Sequence, residues 1–137
     1  MMIRLMIGKK GSGKTKTLID LVNSTVDTTD GAVVCIEKGD KLKYDIRYQC
    51  RLIDADRYLI ADGQSLFGFV AGILASNHDV GDIFIDSALK ICQNDADSFD
   101  RFLNEIEKLV EEHGTNFFIT SSIDPTEASK TVLKYIG

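Results

Sequence analysis

The stretch Gly8-Lys9-Lys10-Gly11-Ser12-Gly13-Lys14-Thr15 sets three glycines, a lysine and a hydroxyl residue at the spacing G-x-x-x-x-G-K-[ST]. It follows the apolar run Ile3 to Ile7 and leads into Thr15 to Val26, whose apolar residues recur at helical spacing, so the expected setting is strand, loop, helix. Glycines let the backbone come close to a phosphate with no Cβ in the way, so that successive N–H groups point inward. Lys14 then reaches the terminal phosphates and the Thr15 hydroxyl becomes a Mg²⁺ ligand, while the positive end of the following helix favours an anion. Gly8, Lys9, Lys10, Gly11, Ser12, Gly13, Lys14, Thr15 and Lys16 are the expected phosphate-binding residues. The competing reading is a glycine-rich turn that binds nothing.

A chain of 137 residues is long enough for one domain, taken as 1–137, around a single core. Hydrophobic content of 44% and charged content of 27% argue against disorder. A net charge of −5 argues against a surface that captures nucleic acid as a whole, although a local basic patch remains compatible with it. Cys35, Cys50 and Cys92 have no C-x-x-C spacing and are odd in number, so reduced thiols in a cytoplasmic protein are expected, without zinc or a disulfide framework. Arg4 interrupts the first apolar run, which argues against a signal peptide, and Leu66 to Ala75 is too short to span a bilayer.

Further strands are expected at Ala32 to Ile36, closed by Glu37, at Arg51 to Asp54, at Ile83 to Ile85 and at Phe117 to Thr120. The second of the five is continuous and β-branched, which suits a strand covered on both faces. Ser65 to Asn77 reads as an apolar helix in which Gly68 and Gly72, four apart, suggest close packing. Asp97 is the expected N-cap of a helix bearing Phe99, Phe102, Leu103, Ile106, Leu109 and Val110, with His113-Gly114 as its stop. Asp124, Pro125 and Glu127 predict the start of a last helix that runs to Tyr135 or Ile136. Strands alternating with helices predict a three-layer α/β domain with a five-stranded, mainly parallel sheet. Ligands of such sheets sit beyond the carboxyl ends of the strands, so Gly8, Glu37, Asp54, Asp86 and Thr120 are the expected rim.

Asp86 ends the apolar run Ile83-Phe84-Ile85 and is the expected carboxylate of a Mg²⁺ shell opposite Thr15. Glu37 ends the neighbouring strand, where it would face a terminal phosphate and serve as a base; a solvated strand-end charge is the alternative. Asp54 and Asp56 are weaker candidates by the same geometry.

These residues carry a resemblance. Ile83-Phe84-Ile85-Asp86-Ser87, Glu37 at the end of the second strand, and Phe118-Ile119-Thr120-Ser121-Ser122 resemble the RecA/KaiC/RadA branch of the additional-strand P-loop ATPases. Many ATPases of the additional-strand class place a glutamate directly after the aspartate; here position 87 is serine, as is frequent in this branch. The resemblance implies Mg-ATP as ligand, Glu37 as water-activating base, Asp86 as magnesium-site carboxylate, and Thr120 or Ser121 as sensor of the γ-phosphate. It spans the whole chain as strand order but only about twenty residues as motif. The chain also resembles short stand-alone bacterial ATP-binding proteins labelled PilT-like, from which motility is not carried over. It departs from the branch in stopping after the fifth strand and one helix, without the later strands, DNA-binding loops or a recognisable arginine finger.

The N-K-x-D and D-x-x-G motifs of a GTPase are absent, as are the Asp-Glu pair and zinc cysteines of a thymidine-kinase-like enzyme. Lys38, Lys41, Lys43, Arg47 and Arg51 are interleaved with Tyr44 and Tyr48, a composition able to grip single-stranded nucleic acid, although an ordinary charged loop is the favoured reading. The leading expectation is a cytoplasmic Mg-ATP-binding protein with slow or partner-stimulated ATPase activity, in which Lys14, Glu37 and Thr120 serve catalysis and Thr15 and Asp86 the metal. A nucleotide-binding switch without hydrolysis and a small-molecule kinase are the alternatives. Self-association is expected on family grounds, a protein partner is left unspecified, and no membrane insertion is expected.

Overall fold

The computed structural model describes residues 2–137. Five strands, β1 (Ile3–Gly8), β2 (Ala32–Glu37), β3 (Arg51–Asp54), β4 (Val80–Ile85) and β5 (Asn116–Ser122), form one sheet in the order β1-β5-β4-β2-β3. Every pairing is parallel, so "mainly parallel" becomes wholly parallel. The helices are α1 (Lys14–Thr28), α2 (Gly63–Ser76), the single turn α3 (Ala88–Ile91), α4 (Ala96–His113) and α5 (Lys130–Tyr135).

Alternation along the strands divides the core into two. Val34, Ile36, Ile83, Ile85, Phe117 and Ile119 pack with Leu66, Val70 and Leu74 of α2 and Phe99, Phe102 and Ile106 of α4. Val33, Cys35, Phe84 and Phe118 face the other way, onto Leu18 and Val22 of α1 and onto Leu42, Ile46 and Cys50 of the segment that joins β2 to β3. The sheet is thus buried on both sides, the reason its strands read as apolar runs. No helix among the described residues is long and apolar enough to cross a membrane.

Local differences from the sequence expectation have local causes. The cap of α4 is Asp95, whose side chain accepts from the Ser98 N–H, and Asp97 lies inside the first turn; Gly114, at φ 68°, ends the helix as expected. Asp124 accepts from Thr126 and starts only a 3₁₀ turn, Pro125–Glu127; Ala128 is extended and Ser129 caps α5 afresh. Gly68 and Gly72 are exposed, with no atom within 4 Å of where a Cβ would stand, so they mediate no close packing. The tight approach is at Gly63, where a Cβ would overlap the Ser98 carbonyl oxygen of α4.

Gly68→Ala is expected to raise stability by about 0.5–1 kcal/mol, through helix propensity alone. Gly63→Ala is expected to lower it, because α2 and α4 must separate; thermal unfolding of both variants checks the pair, and a stabilised Gly63→Ala would contradict the packing.

Candidate functional site

Parallel pairing brings the carboxyl ends of all five strands to one edge. Ile36 is level with Ile85, and Ile85 with Ile119, so Glu37, Asp86 and Thr120 are the next residues of three adjacent strands. Glu37 is also level with Asp54. Gly8 is level with Ser122, two residues beyond Thr120, which pairs with Met6.

Between β1 and α1 the loop turns on Gly11 and Gly13, with φ of 85° and 92°. Gly13 is the N-cap of α1 and has no side chain to cap it. The Ser12 N–H bonds the Lys9 carbonyl and the Thr17 N–H bonds that of Gly13; no backbone carbonyl accepts from Gly11, Gly13, Lys14, Thr15 or Lys16 among the described residues. Several amides therefore remain free where the partial positive charge of the helix is concentrated.

Lys14 is only 6% exposed. Its Nζ donates to the carbonyls of Gly8 (3.1 Å) and Lys9 (2.9 Å) and to Ser12 Oγ (3.3 Å). No carboxylate pairs with it among the described residues. A Cβ on Gly8 would stand 2.8 Å from Ser12 Oγ, so that glycine lets the loop close around the lysine.

The Thr15 hydroxyl lies 3.2 Å from each carboxylate oxygen of Asp86. Thr120 donates to Asp86 Oδ1 at 2.7 Å and accepts the Ser87 N–H at 2.9 Å, while Ser87 Oγ reaches Asp86 Oδ2 at 3.4 Å. Three hydroxyls thus orient one carboxylate. Ser87 is held in the left-handed region, φ 57°, as the chain turns from β4 into α3. Ser121 is fully buried and accepts the Leu89 N–H. Thr120 and Ser121 are therefore committed to the aspartate and to α3.

Glu37 is 3% exposed, and its two oxygens each accept one amide, from Lys41 and Leu42, both at 3.1 Å. Burial pushes its pKa up, the two amides oppose that shift, and the charges of Asp86 and Asp54 add to it. Asp54 accepts the N–H groups of Gly39 and Asp56, and Asp56 pairs with Lys38 at 2.7 Å, so both carboxylates organise turns at the β3 end.

Loop and strand tips enclose a cleft of about 640 Å³, lined by Lys14, Thr15, Glu37 and Asp86 together with Lys38, Lys41, Leu89, Lys90 and Asn94. Lys38 and Lys41 stood out in the sequence only as part of a basic stretch, and Leu89, Lys90 and Asn94 not at all, because α3 is one turn long and no motif marks it. Among the described residues no three His, Cys, Asp or Glu side chains cluster as a metal site. A divalent ion here would need the Thr15 hydroxyl, the Asp86 carboxylate and oxygens brought by a ligand, a donor set that suits Mg²⁺. All three cysteines are free and buried, and burial pushes Cys50 and Cys92 up to about 12, so they are inert thiols. No family model and no curated protein sequence matches the chain.

Thr120→Val is expected to cost about 1–3 kcal/mol, because it strands the Ser87 amide and removes the shortest bond to Asp86; chemical denaturation measures it. Glu37 has a raised folded pKa, so the stability linked to its protonation is present at low pH and lost as pH rises through that pKa. Melting temperatures of wild type and Glu37→Gln, compared from mildly acidic to neutral pH, are expected to shift in favour of the variant as pH rises. A difference that moves the other way would contradict the burial of the carboxylate.

Proposed function

We propose that this protein binds Mg-ATP through the 8–16 loop and hydrolyses it slowly, to ADP and phosphate, or at a rate set by a partner. The observation that carries the proposal is Lys14: a buried ammonium, wrapped by neutral oxygens and bordered by free amides, beside a carboxylate-hydroxyl pair 3.2 Å apart. A buried cation without a counter-charge is costly unless an anion completes it, and a polyphosphate does so. The position of β5 between β1 and β4 agrees with the resemblance to additional-strand ATPases, as does Glu37 at the end of β2.

In this reading Lys14 and the free amides of the loop would bind the phosphates of the nucleotide. Thr15 and Asp86 would hold Mg²⁺, which would supply charge neutralisation to the phosphates. Thr120 keeps Asp86 in place as a positioning residue. Glu37, oriented by two amides and made more basic by burial, takes the proton of the attacking water at a carboxylate oxygen.

The same two bonds favour one other reading, a nucleotide-binding switch without hydrolysis, because both Glu37 oxygens are already engaged. Calorimetry and a phosphate-release assay separate the two. Lys14→Ala is expected to abolish measurable Mg-ATP binding. Glu37→Gln is expected to leave binding within a few-fold and to lower turnover about 10²–10⁴-fold, the usual contribution of a general base. Turnover unchanged in Glu37→Gln would remove it as the base, and unchanged binding in Lys14→Ala would overturn the nucleotide reading.

A further inference from the structure

The cleft holds more positive charge than one nucleotide explains. Its lining includes six lysines, Lys10, Lys14, Lys16, Lys38, Lys41 and Lys90, against two carboxylates, Glu37 and Asp86. The whole chain has 16 Lys and Arg against 21 Asp and Glu, so the cleft reverses the balance of the molecule. Lys10, Lys14 and Lys16 belong to the loop and the start of α1, where they and the helix dipole face a magnesium-bound triphosphate.

The other three come from outside the loop, Lys38 and Lys41 from the segment after β2, which packs on the α1 side of the sheet, and Lys90 from α3 on the other side. Lys38 follows Glu37 at the tip of β2, Lys41 lies three residues on, and Lys90 is in α3, just past the tip of the adjacent β4. Lys38 is fixed by Asp56 at 2.7 Å, while Lys41 and Lys90 have no carboxylate partner among the described residues. Asn94, three residues past α3, lines the same cleft and adds an amide. Asp56 neutralises Lys38, and Glu37 spends both oxygens on the amides of Lys41 and Leu42, so the Lys41 and Lys90 ammonium groups add positive charge to the concavity beyond the loop lysines.

We propose that Lys38, Lys41, Lys90 and Asn94 form a second anion subsite, which takes the phosphate group of a small phosphomonoester beside the nucleotide. The proposal deepens the nucleotide reading and rests on it for occupancy of the loop. A bounded cleft of about 640 Å³ lined by these lysines suits a single phosphate group, whereas a nucleic-acid strand calls for a stripe that tracks repeated phosphates.

The test uses the full chain saturated with Mg²⁺ and a non-hydrolysable ATP analogue, then titrated with inorganic phosphate in a calorimeter. One phosphate per chain is expected to bind alongside the analogue. The double variant Lys41→Gln/Lys90→Gln, both sites being exposed, is expected to weaken phosphate about tenfold or more and analogue binding less than about threefold. Phosphate that only competes with the analogue, phosphate that binds the double variant equally well, or equal loss of both ligands would overturn the subsite. If the analogue does not bind at all, the nucleotide reading falls by itself. Phosphate affinity that then depends on Lys41 and Lys90 still supports the subsite, and affinity that depends on Lys14 alone overturns it.

Discussion

A lysine ammonium sealed into a loop of its own backbone is the feature around which the molecule is arranged. Water is largely withdrawn from Lys14, and its three hydrogen bonds end on two carbonyls and a hydroxyl, none of which carries a full charge. Such a group is tolerable where the surroundings supply dipoles to solvate it. The loop supplies the dipoles because Gly11 and Gly13 adopt positive φ and Gly8 has no side chain. The start of α1 presents its unbonded amides beside the same cavity, so cation and donors face one space.

That space has a second wall, tied to the first. The segment between β2 and β3 seats Leu42, Ile46 and Cys50 against Leu18 and Val22 of α1. Asn23 of α1 donates to the Asp45 carbonyl and accepts from the Arg47 N–H, and Arg47 pairs with Asp27 at 2.8 Å. Glu37 holds the near end of this segment by two amides, at the level of Asp86 on the adjacent strand. Helix, segment and strand tips therefore hold the cleft walls in a defined relation, which preorganises the site for charge. Tyr44 and Tyr48, 89% and 92% exposed, lie on the outer side of the same segment and take no part in it.

Much of the fold was legible because its signals are short-range. Continuous β-branched runs such as Ala32 to Ile36 have one economical solution, a strand covered on both faces, and the spacing of Phe99, Phe102, Leu103 and Ile106 has one helical face. Ambiguity arose where several capping residues compete. Asp95 and Asp97 both precede the α4 run, and a cap is decided by which carboxylate meets a free amide. Asp124 closed a 3₁₀ turn instead of a helix because Ser129, bonded to Asp100 of α4, offered a cap fixed by tertiary contact. Glycine spacing in α2 misled for the same reason: whether a missing Cβ matters depends on the neighbour, which lies at Gly63.

By itself the sequence determined the loop, its lysine and hydroxyl, and the acidic residues at strand ends, because each follows from spacing along a few consecutive residues. Only the folded chain decided what those groups do to one another. Pairing of β2, β4 and β5 in register brought Glu37, Asp86 and Thr120 to one level, committed Thr120 to Asp86, and bound Glu37 to the amides of Lys41 and Leu42. It also brought Lys38, Lys41 and Lys90 to the same cleft from two different segments. Hydrogen bonds and charge balance depend on distances of a few ångströms between residues tens of positions apart, and those distances are set by sheet order and register, which no local pattern records.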